Sequence, residues 1–194
     1  MPATWIYGFH ALFYAMFLPR LLSRPRRRPA PAAPAPPPAS TARFSRGLLV
    51  FHGFAMFVLY FGIGSTVFGP NRRFLFAPQR AAGAVVMLAA AALAVWTLTV
   101  FRSWRLRAQI EADHQLSTDG PFRFVRNPIY LGMIVLAIGS FLWVPNAIVL
   151  AGVLLVCLAS DLRARAEEKV LLAAFGERYR DYAARVRRFV PGIY

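Results

Sequence analysis

The chain has 194 residues, of which 58% are hydrophobic; 23 Lys and Arg against 8 Asp and Glu give a formal net charge of +15. A mean hydropathy of +0.47 is too apolar for an ordinary soluble domain. The basic residues border apolar blocks instead of forming one patch, which argues against a nucleic-acid partner. The single cysteine, Cys157, allows no intramolecular disulfide, and His10, His52 and His114 stand in separate segments without ligand spacing, so no metal site is expected.

Residues 1–19 read as a first transmembrane helix around the uncharged run 4–18. That run is shorter than the roughly 20 residues that cross a bilayer unaided. A signal peptide is disfavoured, because no basic residue precedes the run and Leu18-Pro19-Arg20 is a poor cleavage site. Residues 20–46 contain RPRRRPAPAAPAPPPAS. Its prolines lack amide donors and fix φ, so an extended cytosolic linker is expected, with its arginines on anionic headgroups. Such a linker would leave the first helix a loosely attached accessory.

Residues 47–69 and 81–101 are long and apolar enough to span. His52 lies inside the first of these, where an ionisable group is expensive; a neutral ring bonded to a neighbouring helix is expected. Residues 129–144 and 146–160 form a hairpin around Val144-Pro145-Asn146. Gly53, Gly62 and Gly64 in one span, Gly132 and Gly139 in another, and Ala147, Ala151 and Gly152 in the last are small residues of the kind that let helix backbones approach in lipid.

After Asp161 charge returns, and Leu171, Phe175, Tyr179, Tyr182 and Val186 recur at helical spacing. Gly176 predicts a break between two short helices over 161–190, and Pro191 a stop. These would lie at the interface or fold back on the bundle. The fold class expected is therefore an all-α integral membrane protein: five transmembrane helices, a C-terminal helical hairpin, and cytosolic or interfacial C-terminal helices. All but three Lys and Arg lie in 20–46, 102–126 and 163–188, the exceptions being Arg72, Arg73 and Arg80. Alternation of sides then puts the N-terminus outside and the C-terminus in the cytoplasm.

The stretch GPFRFVRNPIYLG, residues 120–132, interrupts this pattern. Gly120-Pro121 is a turn, Asn127 an N-cap and Pro128 the first helical residue, where a missing donor costs nothing. Arg123 and Arg126 stand on the cytosolic side, and a helix N-terminus flanked by arginine is also an anion site. Glu167-Glu168 is equally two-sided. Arg163 and Arg165 are spaced to form surface ion pairs with them, worth little. Adjacent carboxylates about 100° apart on a helix can also face two partners, one on a ligand and one orienting an arginine.

Together, this stretch opening a hairpin and AEEKVLLAAFGERYRDYAARVRRFVP following it resemble the isoprenylcysteine carboxyl methyltransferase family and its bacterial relatives, whose layout the phospholipid N-methyltransferases share. The resemblance covers residues 116–191 closely, the two spans before them loosely, and residues 1–46 not at all. It implies a methyltransferase core over 47–194 in a bacterial inner membrane. The cofactor implied is S-adenosylmethionine, with S-adenosylhomocysteine as product. The partners implied are the bilayer and a lipophilic acceptor bearing a carboxylate, thiol or amine; oligomeric state is left open. By matching position, the resemblance implies Arg126, Asn127, Pro128, Tyr130 and Leu131 of the first motif and Glu167, Glu168, Tyr179 and Tyr182 of the second as the cofactor site, with Arg126 and Glu168 as the catalytic pair; Arg188 also belongs to the second motif. Better-known members have His where this chain has Asn127. Asn still donates a hydrogen bond but carries no charge, so the acceptor need not be a prenylcysteine. Membrane NADPH-dependent sterol reductases share an Asn-x-x-Tyr helix start, but their Tyr-x-Gly-Glu is broken here by Met133. A transport bundle would put its polar features at mid-membrane, whereas here they gather at the cytosolic rim.

Overall fold

The computed structural model describes residues 3–22, 39–69, 77–100 and 116–194. Most of the Pro/Arg-rich linker, together with Arg72, Arg73 and His114, lies outside the described residues. The described chain is helical: α1 Trp5–Ala15, α2 Leu18–Leu22, α3 Ala39–Val67, α4 Ala77–Val100, a 3₁₀ turn Gly120–Arg123, α5 Pro128–Trp143, α6 Ala147–Phe175 and α7 Glu177–Arg185. Three of these are long and apolar enough to cross a membrane, over Phe44–Val67, Pro78–Val100 and Ala147–Phe175. Helices α1 and α5, at 11 and 16 residues, rise only about 17 and 24 Å at 1.5 Å per residue.

Two antiparallel pairs make the bundle, and glycine sets the separation in each. In α3 against α6, a Cβ on Gly152 would stand 2.6 Å from Leu59 Cα, and one on Gly62 would stand 2.7 Å from Val149 N. In α4 against α5, a Cβ on Gly83 would stand 2.8 Å from Gly139 O, and one on Gly139 would stand 3.0 Å from Met87 N. Backbones this close gain dispersion contacts where apolar burial gives no advantage over lipid. Gly53 has open space around it, and Ala147 and Ala151 are exposed, so the small-residue pattern names some packing sites and not others. The partner of Gly139 is Gly83, one of a run of small residues in α4 that does not stand out in the sequence.

Helix α1 is not a loose accessory. Phe13 and Ile6 are fully buried in the core shared by α3, α4, α5 and α6. The His10 ring is buried and bonded at both nitrogens, to Tyr60 Oη of α3 at 2.8 Å and to Ser140 Oγ of α5 at 2.8 Å. The Trp143 indole N–H donates to the Ala3 carbonyl. A polar ring inside a membrane must find such partners, and His10 fastens three helices by doing so.

The chain turns between α5 and α6 at Val144-Pro145-Asn146, and Asn146 ties the turn down. Asn146 caps α6 by accepting from Val149 N at 2.8 Å, and its amide donates to Gly62 O at 3.1 Å and Thr66 Oγ1 at 2.7 Å, tying the tip to α3. Asn146→Ala removes the cap and both ties. It is expected to lower stability by about 2 kcal/mol, the upper end for a cap, in a thermal melt, and to leave cofactor affinity unchanged.

Beyond the last span the chain differs from a pair of short helices. Helix α6 runs unbroken to Phe175, so only the Gly176 break, at φ 53°, is present. Helix α7 ends at Arg185 well before Pro191, because Val186 turns extended and Val125 and Arg187 form a parallel bridge. Of the predicted apolar face, Tyr179 and Tyr182 are buried, while Leu171, Phe175 and Val186 are only half-buried; Phe189, outside that pattern, is buried too.

Candidate cofactor site at the polar rim

The opening stretch and the C-terminal segment are sewn together by backbone. Arg126 N donates to Arg187 O at 2.8 Å and Asn127 N to Arg188 O at 3.2 Å. The turn at Gly120 is present, with φ 58°, and Tyr182 Oη donates to Phe122 O at 2.8 Å, anchoring α7 to it.

Between these strips lies Glu168, whose side chain is only 12% exposed. Its Oε1 accepts from Arg126 Nε at 3.2 Å, Asn127 Nδ2 at 2.8 Å and Arg188 Nε at 3.0 Å. Its Oε2 accepts from Arg126 Nη2 at 3.3 Å and Arg188 Nη2 at 2.9 Å. Two guanidinium forks and an amide fill the roughly four acceptor sites of a carboxylate. Glu168 is therefore ionised and saturated, and its chemical effect is to orient two arginines. The expectation of a solvated pair with Arg165 is overturned: Arg165 bonds Asp161 at 2.6 Å and Tyr194 Oη at 2.6 Å instead.

Arg126 is also bonded to the end of α7. Its Nη1 donates to Ala183 O at 2.8 Å and Val186 O at 2.6 Å, satisfying carbonyls at the end of α7 where a cation also complements the helix dipole. Arg123, by contrast, is exposed. Asn127 occupies the N-cap position of α5, but its side chain makes no capping bond. Its amide is committed to Glu168, a stronger acceptor than the neutral groups it would otherwise meet. Arg188 is the guanidinium that the sequence named without a partner. It also donates to Asp161 at 3.1 Å and Tyr194 Oη at 2.9 Å, and its hydrogen bond to Glu168 raises its pKa further above the usual arginine range.

Glu167 points to the other side of α6, one-third exposed, with Arg163 at 3.8 Å as the sequence spacing anticipates. It accepts a hydrogen bond from Tyr130 Oη. The Tyr130 ring is buried, packed with Ala164 and Phe189 and half-buried Leu131, and carries the Arg163 guanidinium 5.3 Å above its centroid. Pro128 is buried at the start of α5. Tyr179 and Tyr182 meet edge to face at 6.1 Å, and burial pushes both hydroxyls up, so they remain neutral donors.

All the residues singled out in the two motifs thus gather around the N-terminus of α5 and the C-terminal half of α6. A group with the chemistry of S-adenosylmethionine has a carboxylate, an ammonium, a ribose diol and an adenine. The donor set here fits it: the helix start at Asn127-Pro128 for an anion, a carboxylate with capacity left at Glu167, and aromatic rings for a base.

The comparisons with known proteins fall on the same region. Residues 82–173 match the family model of the isoprenylcysteine carboxyl methyltransferase (ICMT) family. Over that segment the chain is ICMT-like. A relative from Schizosaccharomyces pombe, protein-S-isoprenylcysteine O-methyltransferase, is 33% identical over 82 residues, which is 42% of this chain and 35% of that protein. The match therefore spans about a third of the length of the curated relative. Most of α4, all of α5 and most of α6 lie in the matched segment, with Arg126, Asn127, Pro128, Tyr130, Leu131, Glu167 and Glu168; α1, α3 and α7 lie outside it.

Proposed function

We propose that this chain is an S-adenosylmethionine-dependent integral membrane methyltransferase acting on a lipophilic acceptor at the cytosolic face. The observation that supports the reading best is the division of labour between adjacent carboxylates: Glu168 is saturated by Arg126, Arg188 and Asn127, while Glu167 keeps capacity for a ligand. Bound S-adenosylmethionine supplies a methyl group on a sulfonium, activated for in-line displacement. Glu167, oriented by Tyr130, accepts from the ribose hydroxyls or the ammonium. The N-terminus of α5 at Asn127-Pro128 favours the carboxylate end, and Tyr179 and Leu131 flank the base. Arg126 and Glu168 act by holding α7 closed over the site, which excludes water and fixes the angle of attack. Tyr182 does the same through its bond to Phe122. A carboxylate, thiolate or free amine needs no strong base to attack, so Asn127 in place of His is compatible with the reaction.

Five crossings complete the reading, with α1 and α5 spanning through their flanks and a locally thinned bilayer. The N-terminus is then outside and the C-terminus cytoplasmic, in a bacterial inner membrane. A reporter after Tyr194 is expected to be cytoplasmic and one before Met1 periplasmic; both on one side would remove the five-span arrangement. The catalytic claim is tested by calorimetric titration of the purified chain with S-adenosylmethionine, followed by radiolabelled methyl transfer to lipid, thiol and isoprenoid extracts. Absence of cofactor binding by a folded protein would end it.

A further inference from the structure

His52 sits on α3 with 4% of its surface exposed, and neither ring nitrogen has a hydrogen-bond partner. The contrast with His10, bonded at both nitrogens in the same bundle, is sharp. A buried donor and acceptor left unpaired are costly, more so in a membrane, and call for a partner that comes and goes. The ring faces the site: its centroid is 6.4 Å from that of Tyr130, the same ring over which Arg163 stacks and whose hydroxyl bonds Glu167.

A second unpaired group lies at nearly the same level on the facing helix. Leu59 packs against Gly152 across the antiparallel α3–α6 pair. Seven residues toward the cytosol along both helices, about two turns, His52 comes level with Ala159, next to Ser160. The Ser160 hydroxyl is fully buried and also lacks a partner. Thr97 and Ser140, also buried hydroxyls, each donate to the carbonyl four residues earlier. Two orphaned polar groups thus flank one level of the bundle, just inside the membrane from Tyr130 and Glu167.

We propose that His52 and Ser160 hold the polar head of the lipophilic acceptor, presenting N–H and O–H donors to a hydrogen-bond-accepting head group while its tail stays in the bilayer. Neither residue touches the cofactor; both are positioning residues for the second substrate. The Arg163 guanidinium beyond Tyr130 adds a preference for negative charge. His52 lies outside the family-matched segment and Ser160 within it. The assignment of the ligand as methyl acceptor rests on the proposed function; the site itself does not.

The test uses the full chain in lipid nanodiscs, melted alone and with dodecanoate, dodecylamine or dodecanol, which share a tail and differ in head. Wild type is expected to be stabilised more by dodecanoate than by the other two. His52→Leu should lose that preference while its ligand-free Tm rises by about 2–4 °C, the orphaned nitrogens being gone. His52→Gln, which keeps a donor, should retain the preference, and Ser160→Ala should weaken it. S-adenosylmethionine affinity of His52→Leu should stay within about twofold of wild type, a change well under 1 kcal/mol. A fall in the ligand-free Tm of His52→Leu would show the ring bonded within the protein, and an unchanged head-group preference would show that ligands do not reach it; either overturns the proposal. If wild type binds no S-adenosylmethionine, the methyltransferase reading falls while the amphiphile melts still decide the role of His52.

Discussion

Glu168→Gln is expected to destabilise the protein by about 3 kcal/mol and to weaken S-adenosylmethionine binding by at least about 100-fold. The amide keeps the shape but removes the charge between two guanidiniums and turns an NH₂ toward one of them. Stripping the partner from a buried ion pair costs roughly 3–5 kcal/mol, because the remaining charges stay desolvated. The lower figure applies here, since the Glu168, Arg126 and Arg188 side chains keep 12–15% exposure and some water screens them. The effect on affinity follows from geometry: Arg126 loses its orientation and with it the end of α7 at Ala183 and Val186. Thermal melts and calorimetric titration read the two effects separately. Glu167→Gln is the contrast, expected to cost affinity with little change in Tm. Equal stability losses in the two variants, with affinity intact in both, would reduce the cluster to an interhelical brace.

Gly152→Val is expected to be the most damaging change in the membrane core, at about 3 kcal/mol. A Cβ there would lie 2.6 Å from Leu59 Cα and 2.8 Å from Leu59 N, so backbone and not a side-chain tip must move. Overpacking typically costs about 1–3 kcal/mol, and the upper end applies when no rotamer relieves it. Forcing α3 from α6 also pulls His52 from Tyr130, so activity toward a lipophilic acceptor should fall with stability. Gly53→Ala, one helix face away in open space, should be neutral or stabilising by up to about 1 kcal/mol through helix propensity. Melting curves of both variants in one detergent decide whether close backbone approach or glycine content matters.

Adjacent carboxylates are also where sequence and structure divide most clearly. From the sequence, Glu167-Glu168 predicted two side chains about 100° apart, and Arg163 and Arg165 offered both a local partner. Local spacing was right for Arg163 with Glu167. It failed for Glu168, because Arg188, twenty positions on, competes with a bidentate fork in a drier place than Arg165 can offer. Nothing periodic in the chain announces that competition. It depends on α7 turning back at Gly176 and on the parallel bridge from Val125 to Arg187.

Composition, block lengths and turn residues alone determined that this is a helical membrane protein, where its hairpin turns at Val144-Pro145-Asn146, where α6 ends at Gly176, and which two short motifs hold the polar residues at the rim. Those are local properties, governed by the cost of exposing backbone in lipid and by the φ that Pro and Gly accept. Tertiary structure alone decided that α1 is fastened through His10 to α3 and α5, that Asn127 serves Glu168 and not the helix cap, that Arg126 closes α7, and that Gly62 and Gly152 bear close approach while Gly53 does not. Each is a choice among partners far apart in sequence. In a low-dielectric interior, the best-matched acceptor wins over the nearest one.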